Sequence, residues 1–292
     1  MNIPAFVNPD GGSAKKALAA LEASGGFDVR LAGPQELPRQ LEEAVAAGVP
    51  RLLVAGGDGT IELAAAALAG GPVELAVLPG GTLNHFARDH GIPTDPDEAL
   101  ALARNGAART TDVGYVNDRL FINTTSVGAY VHFVRTRDRI ERFCGYWGAS
   151  FLAGVRVLLT PRQIPVRLEA GKEVRLYTTP LVFVGVGERN FGLPGLGQRV
   201  PGGARGLHVV LFRGRRQARR FARAYGRATR GLPVEARSFG VDSALVERLR
   251  LDLRAGRIHI AADGEIQSVT TPLEYRIARD ALRVVVPATR AP

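Results

Sequence analysis

Arg51-Leu52-Leu53-Val54-Ala55-Gly56-Gly57-Asp58-Gly59-Thr60-Ile61 is the stretch that decides the fold. Arg51 to Ala55 reads as a short apolar strand, and Ile61 to Ala69 as an Ala/Leu-rich helix. Between them stand three glycines, a carboxylate and a hydroxyl. Glycine lets the backbone turn tightly and approach a ligand closely, because no Cβ intrudes. Amides at the start of the helix point into the turn, where the helix dipole favours an anion. Asp58 runs against that preference, since a carboxylate repels a phosphate unless a divalent cation bridges the two. Together these features point to a Mg-nucleotide. One Gly-rich turn alone can equally be a plain strand-to-helix connection that needs glycines and a cap, so the neighbouring stretches must arbitrate.

The neighbours repeat the pattern. Asn2 to Val7 reads as a strand, followed by Asn8-Pro9-Asp10-Gly11-Gly12-Ser13 and a helix from Ala14 to about Ala23. Phe27 to Leu31 reads as a strand. Pro34 to Ala47 reads as a helix with Leu37, Leu41, Ala44 and Val45 at helical spacing. Leu75 to Leu78 is a further strand, then come Pro79-Gly80-Gly81-Thr82-Leu83-Asn84 and a helical Phe86 to Asp89. Asp97 to Asn105 is a short helix capped near Asp95. Strand, Gly-rich turn and helix thus recur three times. That alternation predicts a parallel α/β sheet, with ligands beyond the C-terminal ends of its strands.

The character changes near Arg109. Asp112 to Val116 and Leu120 to Thr124 flank the turn Asn117-Asp118-Arg119, and Val166 to Glu169 and Glu173 to Tyr177 flank Ala170-Gly171-Lys172. Leu181 to Val186 and Leu207 to Phe212 are buried apolar runs. Leu249, Leu251 and Leu253, then Ile258, Ile260 and Ala262, alternate with other residues as half-buried strands do. Leu273 to Ala278 and Leu282 to Val286 read as two closing strands. The expected organisation is an α/β nucleotide-binding domain over residues 1–110 and an antiparallel β-sandwich over 111–288. Gly192 to Gly206, rich in Gly and Pro, is the candidate mobile loop.

Composition narrows the partners. With 292 residues, 46% of them hydrophobic, the chain can bury two ordinary cores, and no apolar run reaches the ~20 residues a membrane span needs. Met1-Asn2-Ile3-Pro4 lacks the basic-then-apolar pattern of a secretory signal, and the single Cys144 excludes an internal disulfide framework. The expected location is the cytoplasm. The net charge of +10 suits an acidic partner: a nucleotide, an anionic lipid surface or a nucleic acid. The only lysines are Lys15, Lys16 and Lys172, so no Gly-Lys-[Ser/Thr] of a Walker loop exists.

Gly56-Gly57-Asp58-Gly59-Thr60, Pro79-Gly80-Gly81-Thr82-Leu83-Asn84 and Asp263-Gly264-Glu265, in that order, resemble the diacylglycerol kinase catalytic-domain family. That family also holds sphingosine kinases and bacterial lipid kinases and is related to NAD kinases. Asn8-Pro9 with Gly11-Gly12 resembles its first nucleotide turn. The resemblance implies a two-domain fold with the active site in the cleft between the domains. It implies ATP on Asn8, Gly12 and Gly56 to Thr60, with Gly81, Thr82 and Asn84 along the same edge and Lys15 or Lys16 near a phosphate. It implies Mg²⁺ on Asp58 and Glu265, and Asp263 as general base. In an extended strand, residues two apart share a face, so Asp263 and Glu265 would stand side by side. Asp-Gly between alternating runs is also a hairpin signal, and both readings can hold. Asp58 stays open as the alternative base. The implied activity is ATP-dependent phosphorylation of a lipid hydroxyl, diacylglycerol-like, by an enzyme bound peripherally to an anionic membrane surface.

Two positions depart from the family pattern. His85 stands where an Asp usually follows the Asn, and Ala204-Arg205-Gly206-Leu207 lacks the Asp that commonly precedes the Gly. Some bacterial members hold a structural Mg²⁺ around the latter loop, and this chain is not expected to use that site in the same way. The histidines read as ordinary residues without a metal pattern. Arg216, Arg220, Arg223, Arg227 and Arg230 recur at helical spacing, with Ala218, Phe221, Ala222 and Tyr225 opposite. That stripe is a solvated face or a contact for lipid headgroups. Phe143, Tyr146, Trp147, Phe151 and Leu152 are core, an acyl-chain site or a membrane-contacting edge. The competing readings are a soluble NAD kinase-like enzyme and a non-catalytic nucleotide-binding regulator. A nucleic-acid partner is not expected, for want of a recognisable module. Oligomeric state stays open, a homodimer included.

Overall fold

The computed structural model of the protein describes residues 2–128, 131, 163–190, 197–212 and 241–288. The chain divides into two units, Met1–Val113 with Ala278–Pro292, and Gly114–Ile277. The Arg216–Arg230 stripe, Cys144 and the aromatic stretch around Trp147 lie outside the described residues, as does part of the Gly192–Gly206 loop.

The first unit contains β1 (Ile3–Val7), α1 (Ala14–Ser24), β2 (Phe27–Leu31), α2 (Leu37–Ala46), β3 (Arg51–Gly56), α3 (Asp58–Leu68), β4 (Glu74–Pro79), α4 (His85–Asp89), α5 (Pro96–Asn105) and most of β5 (Ala107–Val116). Its strands run parallel in the order β2-β1-β3-β4. Almost every residue of β1, β3 and β4 is buried, as a sheet covered on both faces requires. Ala5, Val7, Leu53, Ala55, Ala76 and Leu78 pack against α1 and α5. The alternate residues Phe6, Leu52, Val54 and Val77, also buried, point to the opposite face. Helix α1 buries Ala14, Ala17 and Leu21, one stripe at helical spacing. Helix α5 begins at the expected cap, where the Asp95 side chain accepts from the Asp97 and Glu98 amides.

Helix α3 starts three residues before the expected Ile61. Gly57 is its extended N-cap and Asp58 its first residue, so Gly59 and Thr60 belong to the first helical turn. An acidic residue there complements the helix dipole.

The second unit continues with β6 (Arg119–Phe121), β7 (Thr124–Gly128), β8 (Ile164–Ala170), β9 (Glu173–Thr179), β10 (Leu181–Val186), β11 (Leu207–Phe212), β12 (Val241–Val246), β13 (Arg248–Leu253), β14 (Arg257–Ala262), β15 (Glu265–Thr270) and the first half of β16 (Leu273–Val286). One antiparallel sheet has the order β12-β11-β10-β7-β14-β15, and another runs β16-β13-β8-β9. Val127, Val182, Val184 and Ile260 from the first share a core with Val166, Leu168, Leu251 and Tyr275 from the second. Two sheets that meet over one core make the expected sandwich.

Two expectations about the C-terminus change. Leu273–Val286 is one strand, not two. Asp280 takes a positive φ of 52° within it, and its amide donates to Asp112 Oδ1 at 3.0 Å. Asp tolerates that left-handed conformation, so Arg279-Asp280 mimics a turn without making one. The second correction concerns the domain limits of 1–110 and 111–288. Ala278 onward belongs to the first unit, because Arg283 and Val284 pair in parallel with Glu74 and Leu75 of β4. The first half of β16 pairs with β13.

Candidate functional site

Strands β1, β3 and β4 are neighbours, so the three Gly-rich turns that follow them come together at one sheet edge. Their mutual contacts are specific. Asn8 Nδ2 donates to Thr60 Oγ1 at 3.2 Å, which joins the first turn to the second. Ser13 Oγ donates to the Gly80 carbonyl at 2.7 Å, which joins the first to the third. The Gly80 amide donates to the Gly56 carbonyl at 2.8 Å, closing the set. No sequence motif marks Ser13, which directly follows Gly11-Gly12.

Glycine is a steric requirement here. A Cβ on Gly81 would lie 2.9 Å from the Gly57 Cα, and one on Gly56 would lie 2.6 Å from Thr60 Cβ. Real side chains do not reach such distances, so the Gly81 backbone lies against that of Gly57, and the Gly56 backbone against the Thr60 side chain. Asn84 sits at φ 48° and folds its side chain back: its Nδ2 donates to the Gly81 carbonyl at 2.9 Å, and its Oδ1 accepts from the Gly81 amide at 2.8 Å. The exposed Lys15 and Lys16 lie in the first turn of α1, and Thr82 is also exposed.

Asp58 has an observed partner. Its Oδ2 accepts from the His85 amide and its Oδ1 from the Phe86 amide, both at 3.2 Å. Asp58 therefore caps α4 from the start of α3, where Asn84 supplies no side-chain cap of its own. His85 contributes its backbone to this contact, and its side chain is exposed. Asp58→Ala should lower stability by about 0.5–2 kcal/mol, the usual worth of a lost cap. Thermal denaturation with and without nucleotide checks this, and an unchanged midpoint would remove the capping role.

In the second unit, Asp263-Gly264 is the two-residue hairpin turn between β14 and β15, with φ of 45° and 97°. Asp263 is nonetheless buried. Its Oδ2 accepts from the Ile122 amide at 2.7 Å, and its Oδ1 from the Asn123 and Thr124 amides at 2.8 Å each. Burial pushes its pKa up to about 6, against the opposing pull of the three amides and of the Arg189 charge. The shared face expected for Asp263 and Glu265 does not form. Alternation holds in an extended strand, but the left-handed turn turns Asp263 inward while Glu265 is exposed. Among the described residues, no group of three His, Cys, Asp or Glu is placed to hold a metal.

Arg189 and His208 are functional-site neighbours that sequence reading missed. Arg189 is buried, and its Nε and Nη2 donate to the Val186 carbonyl at 3.0 and 2.8 Å. The Val186 amide donates to the Asn123 carbonyl at 2.9 Å, so Arg189 braces the segment whose amides hold Asp263. His208 Nδ1 accepts from the Arg189 amide at 2.8 Å, and its Nε2 meets Ser243 Oγ at 2.6 Å. Burial lowers the His208 pKa and favours the neutral ring. No motif surrounds either residue, so nothing in the sequence flags them. At the departure Ala204-Arg205, the Ala204 amide donates to Glu188 Oε2 at 2.9 Å.

Residues 3–116 match the diacylglycerol kinase catalytic domain, over all three Gly-rich turns. The same part of the chain also aligns with curated relatives named "Probable lipid kinase YegS-like". One, from Pseudomonas aeruginosa strain UCBPP-PA14, is 51% identical over 118 residues, covering 39% of this chain and 38% of the relative. Another, from Pseudomonas fluorescens strain Pf-5, is 41% identical over 145 residues, 46% of each chain. The chain thus spans less than half the length of these relatives. The fold likeness extends further. A solved structure described as a diacylglycerol kinase from Bacillus anthracis str. Sterne aligns at TM-score 0.70 with 19% identity, over 98% of this chain and 97% of that one. A second chain from the same organism aligns at TM-score 0.77 with 20% identity, over 98% and 96%. At such identity the likeness shows the fold, here for both units.

Proposed function

We propose that the protein is a lipid kinase that transfers the γ-phosphate of MgATP to a lipid hydroxyl of diacylglycerol type. The observation that carries this reading is the family match across three Gly-rich turns held edge to edge by Asn8–Thr60, Ser13–Gly80 and Gly80–Gly56. Backbone at Gly12, Gly56, Gly57, Gly59 and Gly81 can approach phosphates closely, and the N-terminus of α3 favours their charge. Phosphoryl transfer asks for such positioning more than for covalent chemistry.

The residues fit a nucleotide that brings its own metal rather than a resident metal cage. Both Asp58 oxygens accept amides, and Glu265 is a lone exposed carboxylate of β15. Mg²⁺, when present with ATP, supplies charge neutralisation at the phosphates. Asp263 is the base we assign. It takes the proton of the acceptor hydroxyl, and a pKa near 6 lets it do so at neutral pH while it is mostly ionised. A lipid acceptor implies work at a membrane surface. Among the described residues no helix is long and apolar enough to cross a membrane.

The pH dependence has a definite sign. kcat/KM should fall as pH drops through about 6, where Asp263 protonates. Its contribution to stability runs the other way. The folded pKa lies above the ordinary 3.8, so this group favours folding most at low pH. That contribution is lost as pH rises toward about 6 and is flat above it. A pH–rate profile beside the unfolding of Asp263→Asn at pH values inside and above that window checks both.

Transfer of labelled γ-phosphate from MgATP to a panel of lipids in mixed micelles, with NAD as a soluble acceptor, tests the proposal. Labelled lipid supports it. Labelled NAD would instead favour the NAD kinase-like reading. ATP binding without any transfer would favour the non-catalytic regulator.

A further inference from the structure

Asp263 Oδ1 accepts two amides and Oδ2 one, so Oδ2 keeps the in-plane lone pair that can take a hydroxyl proton. The Asn123 carbonyl and the Thr124 amide belong to one planar peptide group and move together. That carbonyl accepts from the Val186 amide at 2.9 Å, and the Val186 carbonyl accepts from Arg189 Nε and Nη2. The guanidinium fork thus grips one end of a short chain of bonds whose other end is Asp263 Oδ1. Packing holds the fork in place. The aliphatic stem of Arg189 lies on Gly185, where a Cβ would come within 2.7 Å of Arg189 Cγ. Gly185 stands opposite Thr124 in the pairing of β7 with β10. The Arg189 amide donates to His208 Nδ1, so the neutral ring carries its proton on Nε2 and turns it to Ser243 Oγ on β12. Arg189 and Asp263 are both buried, and their opposite charges attract. A buried guanidinium is costly to desolvate, and an apolar side chain of its length would fill the same space, so packing alone does not call for it.

We propose that Arg189 is a positioning residue for the base: by holding Val186, and through it the Asn123–Thr124 peptide, it fixes the direction in which Asp263 presents Oδ2 to the acceptor hydroxyl. This role rests on the assignment of Asp263 as the base made above. Arg189 acts through Asp263 and touches no substrate in it. Proton transfer depends steeply on alignment, and a displacement of ~1 Å can cost on the order of 10²-fold in rate. Lysine at this position would keep the charge and a donor but not the planar fork, so it would hold Val186 less firmly. Gly185→Ala would push the Arg189 stem off its seat without removing the guanidinium.

A double-mutant cycle on phosphoryl transfer by the full chain tests this. Arg189→Met, which keeps the length and removes the fork, should lower kcat about 10–100-fold. The KM for ATP should stay within about twofold, because the Gly-rich turns belong to the other unit. In the Asp263→Asn protein the same change should cost less than about twofold, since no base is left to position. Arg189→Lys should recover part of kcat, and Gly185→Ala should lower it with Arg189 still present. Thermal unfolding and ATP affinity confirm that each variant folds, and Arg189→Lys runs through the same cycle should Arg189→Met not fold. Equal fold-losses in the two backgrounds would make Arg189 merely structural and overturn the proposal. So would a kcat that Arg189→Met and Gly185→Ala leave unchanged. Transfer that survives Asp263→Asn undiminished, or a wild type that transfers nothing, is instead a failure of the base or kinase assignment, and this role falls with it.

Discussion

Asp263→Asn is expected to cut phosphoryl transfer by about 10²–10⁴-fold while nucleotide binding stays at the wild-type level. The carboxylate is the only part of Asp263 that can take a proton, and an amide cannot. The fold tolerates the change because Asn keeps one carbonyl oxygen. Placed at Oδ1, that oxygen still accepts from Asn123 and Thr124. The NH₂ then faces the Ile122 amide, and one buried donor loses its acceptor. Such a loss costs about 1–3 kcal/mol, offset in part because no charge is buried any longer. Asp263→Ala strands all three amides and should be clearly less stable than Asp263→Asn. Lipid phosphorylation, ATP affinity and thermal midpoints of the three proteins separate the chemistry from the packing. If Asp263→Asn retains wild-type transfer, Asp263 is not the base and Asp58 becomes the candidate.

Gly56→Ala is expected to raise the KM for ATP on the order of tenfold and to cost about 1–3 kcal/mol of stability. The new Cβ would lie 2.6 Å from Thr60 Cβ and 2.7 Å from Thr60 Oγ1. Thr60 cannot simply swing away, because it is β-branched within a helix and buried. Its Oγ1 also accepts from Asn8, so displacing it loosens the first turn as well. Gly12→Ala is the matched control. Nothing lies within 4 Å of its Cβ, so the fold should not notice the methyl. Any rise in KM from Gly12→Ala then reports the ligand rather than the protein. If Gly56→Ala changes neither melting nor KM, the described packing of the three turns does not govern nucleotide binding.

Much of this protein is written locally in its chain. The all-buried runs of β1, β3 and β4, each followed by glycines and a helix, specify a covered parallel sheet without reference to anything distant. The alternation at Leu249, Leu251, Ile258 and Ile260 does the same for the second unit. The Asp95 cap and the Asp263-Gly264 hairpin follow from backbone preferences of single residues. These features are legible because hydrophobic period and turn chemistry act over a few residues.

What tertiary structure decided are the contacts between segments far apart in sequence. Asp58 caps α4 because β3 and β4 are neighbours. Asp263 is buried because the Ile122–Thr124 amides come to it from well over a hundred residues away, and Arg189 braces that segment through Val186. Arg279-Asp280 looks like a turn but lies inside β16, since Asp112 satisfies the left-handed Asp280. Residues 278 onward join the first unit because β4 offers them a parallel partner. A hydrogen bond's partner and a charge's burial depend on what packs nearby in space, and a linear pattern does not carry that information.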